Sequence, residues 1–138
     1  MEKISRNQEN FIIMTVIYDE LSDYTAGNSA FRDVNEIILQ ITDVPLNEHS
    51  AYVQNCIANV LSHYGEIVSA FQPYLRGWVW GRLPLLTRAV LLMSYAHFYY
   101  VEKIDKSIVI NVAVDLSKKY IEEKQAKFVN AILDEVLK

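Results

Sequence analysis

Residues 126–138, AKFVNAILDEVLK, set Phe128, Val129, Ile132, Leu133, Val136 and Leu137 at the spacing that draws one apolar stripe along a 3.6-residue helix. Lys127, Ala131, Asp134 and Lys138 fall on the opposite side, and Asn130 sits at the margin. Similar patterns fill most of the chain. Residues 4–22 begin polar and then run FIIMTVIY, apolar nearly all round, which predicts a helix buried on most sides. TAGNSA breaks that helix, with Asn28 or Ser29 as the next N-cap, and residues 30–41 predict a short helix carrying Val34, Ile37, Ile38 and Ile41. From about residue 47, Tyr52, Val53, Cys56, Ile57, Val60, Leu61 and Tyr64 form one amphipathic face. Ile67, Val68, Phe71, Tyr74, Leu75 and Trp78 repeat it after Gly65.

RGWVWGRLP reads as a tight aromatic corner, with Pro84 in the first turn of a helix that runs to about Val101. Asp105 or Ser107 caps a sixth helix that turns Val109, Val112, Ala113, Leu116 and Tyr120 inward. The closing stripe is the seventh. No sheet, repeat or linker is legible. The pattern predicts an all-α, single-domain helical bundle of about seven helices spanning residues 1–138.

Length and composition agree, since 138 residues that are 51% hydrophobic and 22% charged can bury one proper core. No apolar run reaches the roughly 18 residues of a membrane span, and MEKISRNQEN lacks the apolar segment of a signal peptide. The lone Cys56 cannot form an internal disulfide, which leads us to expect a reducing, cytoplasmic setting. The net charge of −4 is unevenly spread. Residues 1–75 carry three basic against ten acidic side chains, and residues 76–138 ten basic against seven acidic. A local basic patch on the second half can therefore attract phosphate despite the acidic total.

Catalytic chemistry is not legible. His49, His63 and His97 form no metal-ligand spacing, so neither metal nor cofactor is expected. Cys56 lies inside an apolar stripe, where an inert buried thiol is the expectation. Glu122–Glu123 and Asp134–Glu135 read as solvated faces, and His97 as a satisfied core histidine. We expect no enzyme.

WVWGRLPLLTRAVLLMSYAHF resembles the W-x-x-x-R-L … R-A-[IV]-L segment of the NusB family of bacterial transcription antitermination factors. VINVAVDLSKKYIEEKQAKFVNAILDEV resembles the family's I-N-E-A-V-E-L-A-K-K-[YF] … K-F-V-N-G-[IV]-L-D ending. SRNQENFIIMTVIYDEL is similar, less closely, to its S-R-R-x-x-R … L-Y opening. The resemblance implies an all-helical fold and no catalysis. It also implies binding of single-stranded boxA-type RNA together with the ribosomal protein NusE, within the RNA polymerase antitermination complex.

Carried over by position, the RNA face would take Lys3, Arg6, Tyr18, Tyr74, Lys124, Gln125, Lys127, Phe128 and Asn130. Lys127 and Arg6 would share a phosphate site at the start of the first helix, with little bearing on stability. Phe128 also belongs to the apolar stripe, and Asn130 could instead fix its helix by a hydrogen bond. Arg82 and Arg88, beside two tryptophans, are expected to serve structure or partner docking more than RNA.

The chain departs from the family pattern at Asn7, Asn10, Leu92, Ala96–His97 and Val112, each removing charge from a family position. RNA affinity should then be reduced, with Lys118, Lys119, Lys124 and Lys127 as compensation. The alternative is a NusB-like scaffold for self-association (a homodimer) or partner docking, which has lost most RNA binding. Nine tyrosines suit that reading.

Overall fold

The structure is a computed structural model describing residues 4–28 and 30–138. Lys3 and the alternative cap Ser29 lie outside the described residues. Seven α-helices and no strand occur among the described residues: α1 (Arg6–Thr25), α2 (Val34–Thr42), α3 (Ala51–Ser62), α4 (Tyr64–Phe71), α5 (Leu85–Ala96), α6 (Lys106–Tyr120) and α7 (Glu123–Val136). Short 3₁₀ turns cover Leu46–Glu48, Gln72–Tyr74 and Trp80–Arg82.

Local chemistry sets the boundaries. Ser5 and Gln8 form a reciprocal capping box that starts α1. Asp33 caps α2 through the Asn35 N–H, so that helix begins later than its apolar pattern suggests. Asn28 closes α1 instead, donating to the Asp23 carbonyl at 3.0 Å. Ser50 caps α3 and Asp105 caps α6. After Ala96 the backbone widens into a π turn over His97–Val101, so the predicted long helix is regular only in its first part.

α1 packs on α5, α2 and α3, and α6 pairs with α7. Ile13, Val16 and Ile17 on α1 and Val90, Leu91 and Leu92 on α5 are fully buried. FIIMTVIY is therefore central, although its first and last rings, Phe11 and Tyr18, both reach solvent. Trp78 departs from the inward expectation. Arg76 (φ 51°) and Gly77 (φ 90°) turn the chain through left-handed backbone, which breaks the helical register. Trp78 swings out, 60% exposed, and Trp80 enters the core instead, stacked on Phe71 at 5.7 Å. Tyr120 also faces out rather than in.

No described helix is long and apolar enough to cross a membrane.

Candidate nucleic-acid interface

The start of α1 is held by an ionic and aromatic cluster. The Arg6 guanidinium lies 3.7 Å over the Tyr52 ring and pairs with Glu9 at 3.3 Å and Glu102 at 3.2 Å. Glu9 also accepts from the Ser50 hydroxyl, and the Tyr52 hydroxyl donates to the Asn10 carboxamide oxygen. Arg6 is thus engaged by its own fold while half of its side chain stays exposed. Burial raises the Tyr52 hydroxyl's pKa and pushes the Cys56 thiol beneath it up to about 12, which leaves that sulfur protonated and unreactive at neutral pH.

His97 is buried against Tyr52, ring centroids 5.1 Å apart. Its Nε2 has no hydrogen-bond partner among the described residues and stands 3.7 Å from Glu102, so the histidine is not fully satisfied. Burial lowers its pKa, outweighing the pull of Glu102, and favours the neutral ring.

Most of the family-position charge losses sit inside the protein. Asn10, Leu92, Ala96 and His97 are buried, Val112 is half-buried, and Asn7 alone among these positions is exposed. Surface charge is reduced less than the sequence comparison implied.

α7 presents Lys124, Lys127 and Asn130 to solvent. The alternative hydrogen bond that would fix its helix through Asn130 finds no partner among the described residues. Gln125 is half-buried and accepts a 2.9 Å hydrogen bond from Thr87 Oγ1, which ties the first turn of α7 to α5. Phe128 and Tyr74 are half-buried and pack against the core, so the fold constrains both rings. Tyr18 remains an exposed ring on α1.

Two grooves open beside the start of α1. The larger, about 1070 Å³, is bounded by Arg6, Asn7, Phe11, Tyr52, Lys119 and Tyr120, among others. The smaller, about 350 Å³, runs along α6 past Asn7, Lys118, Lys119 and Tyr120. Lys118 and Lys119 line these grooves, and Lys124 and Lys127 do not. Sequence reasoning assigned Phe11 to the core and Tyr120 to an inward face. The available signal was the seven-residue step from Phe11 to the exposed Tyr18, which aligns both on one side of a helix.

Arg82 is exposed beside Trp78 and Val79, a solvent-facing surface suited to a partner. Arg88 differs. It is 8% exposed, its Nε donates to the Leu83 carbonyl at 2.9 Å and its Nη2 to the Gly81 carbonyl at 3.1 Å. Its guanidinium pins the aromatic corner to α5, and burial lowers its pKa.

A model described as the NusB family matches residues 12–138. The transcription antitermination protein NusB of Lacticaseibacillus paracasei is 33% identical over 99 residues, covering 71% of this chain and 70% of that protein. T. maritima NusB superposes with a TM-score of 0.81 at 21% identity, over 99% of this chain and 92% of that one. A structure of NusB and NusE in complex with double-stranded RNA aligns with a TM-score of 0.72 at 20% identity, over 97% of this chain and 98% of that one. With the family match running from the second turn of α1 through Lys138, this chain belongs to the NusB family.

Proposed function

We infer that the protein is a non-enzymatic transcription antitermination factor. It binds single-stranded boxA-type RNA together with NusE and acts in the RNA polymerase antitermination complex to promote read-through of ribosomal RNA operons. The observation that carries this reading is the family match over residues 12–138. The chain works as one domain in the cytoplasm, where nascent RNA is made.

Exposed basic and aromatic groups provide the chemistry such RNA needs. Lysine ammonium groups hold phosphates, and rings and carboxamides stack on and hydrogen-bond unpaired bases. Lys127, Lys124 and Asn130 on α7, with Tyr18 on α1, supply those groups at the surface. Arg82, with the exposed Trp78 and Val79, supports a protein-docking surface separate from them.

The exposed Trp78 also favours a second reading, a scaffold that docks protein partners with little RNA binding. Fluorescence anisotropy of labelled boxA-type RNA, with and without NusE and at two salt concentrations, separates the two. Saturable binding that weakens with salt is expected. Partner binding without any saturable RNA binding, even at low salt, would replace the first reading with the second.

A further inference from the structure

We propose that the exposed Phe11–Tyr120 ring pair, flanked by Asn7 and Lys119, is a stacking platform for an unpaired RNA base. The proposal rests on the RNA-binding reading above and adds a base-stacking contact to that surface. Phe11 and Tyr120 come from different helices, α1 and α6, and their ring centroids lie 5.0 Å apart at 45°. They are 37% and 39% exposed, so both rings keep an accessible face. Phenylalanine has no polar tip to account for its place at the surface.

The surroundings are polar. Asn7 precedes Phe11 by one helical turn and is exposed, which sets a carboxamide beside the ring where it can hydrogen-bond a base edge. Lys119 is exposed and makes no ion pair among the described residues, whereas Lys118 stands 4.0 Å from Glu123. Asn7, Lys119 and Tyr120 line both grooves, so the platform is the ridge between them. Tyr18 lies two turns beyond Phe11 on the same side of α1, about 10 Å along the axis. It continues the row of exposed rings toward the end of α1.

Charge favours a base over a densely held backbone. In the larger groove Arg6 and Lys119 are balanced by Glu9 and Glu48, and in the smaller Asp115 opposes Lys118 and Lys119. With little net positive charge, stacking must supply most of the affinity, and stacking is insensitive to salt. Loss of a ring should therefore leave the salt slope unchanged, whereas loss of a lysine, Lys119 beside the rings or Lys127 on α7, should flatten it.

The test is anisotropy of labelled boxA-type RNA with the full chain and NusE across a salt series, with thermal melts as control. Phe11→Leu and Tyr120→Leu keep apolar packing and remove one ring each. Each is expected to weaken RNA binding about tenfold at every salt concentration, with NusE affinity unchanged. Lys119→Gln should weaken binding severalfold and flatten the salt slope by about 0.7. Folded Phe11→Leu and Tyr120→Leu variants that bind RNA like wild type would overturn the platform and leave the RNA-binding reading standing. A loss confined to NusE affinity would overturn it in favour of protein docking. Wild type without saturable RNA binding would defeat the functional reading and this inference together. Photocross-linking of 5-iodouridine RNA to wild type tests the same contact without a variant. Adducts are expected at Phe11 or Tyr120, and adducts confined to α7 would overturn the proposal.

Discussion

The Arg6 guanidinium lies 3.7 Å above the Tyr52 ring, clamped at its edge by Glu9 and Glu102. This joins the first turn of α1 to α3 and to the segment after α5. A cation–π contact at a half-exposed site contributes about 0.5–1 kcal/mol, and a surface ion pair less. Arg6→Gln should therefore destabilise the fold by about 1 kcal/mol, lowering the melting midpoint by a few degrees. Arg6→Lys keeps the charge without the planar stack and should fall between. Circular-dichroism melts decide it. An unchanged midpoint for Arg6→Gln would return Arg6 to the purely phosphate role its position suggested.

Arg88 should be the most damaging arginine to lose. It is buried with no carboxylate partner among the described residues, and its two hydrogen bonds end on the Leu83 and Gly81 carbonyls. Arg88→Ala leaves both acceptors and a cavity, and should cost about 3 kcal/mol. Arg88→Lys cannot reproduce the fork and should restore little of it. Arg82→Ala, at an exposed position, should leave the melt nearly unchanged and weaken NusE binding. Equal melts for Arg88→Ala and Arg82→Ala would refute this division.

Lys127 is exposed and makes no hydrogen bond or ion pair through its side chain among the described residues. Lys127→Gln should weaken boxA-type RNA binding by about 1 kcal/mol and reduce the salt slope by roughly 0.7, with no change in melting midpoint. Because Lys127 does not line the grooves beside α1, its effect should add to that of Lys119→Gln. Anisotropy on the single and double variants reads the coupling. A double variant no worse than either single would mean that both ammonium groups hold one phosphate.

Glu20 gives the fold a pH dependence. Its side chain is fully buried, accepts the Arg32 N–H at 2.7 Å, and has one oxygen, Oε2, without a partner among the described residues. Burial pushes its pKa up to about 7, against the opposing pull of Arg32, whose guanidinium is shared with Asp23 and Glu36. The folded state therefore holds this proton to higher pH than the unfolded chain does. Its contribution is fully present below the ordinary carboxylate pKa and is lost as pH rises through about 7. Glu20→Gln, which keeps the acceptor for Arg32, should be more stable than wild type at pH 8 and nearly equal at pH 4.5. Denaturant titrations at the two pH values test this. A stability difference independent of pH would remove Glu20 as the source.

Helix number, the central place of FIIMTVIY and the capping of α6 by Asp105 follow from sequence because each depends on neighbours within a few positions. Apolar period, cap and proline rules operate over one or two helical turns. The K-F-V-N segment and the W-x-x-x-R-L corner likewise carried the family resemblance without any knowledge of contacts. Which groups are free to act was settled by residues far apart in the chain. Arg6 is occupied because Tyr52 and Glu102 meet it, and Asn10 is withdrawn because the Tyr52 hydroxyl reaches it. Trp78 and Trp80 exchange places because left-handed backbone at Arg76 and Gly77 breaks a helical register that periodicity extends through them. Phe11 and Tyr120 became neighbours at the surface because α6 packs its last turn beside the first turns of α1. Local pattern gives each residue a direction about its own helix axis. Only the packing of one helix on another decides whether that direction ends in the core, in an ion pair or in water.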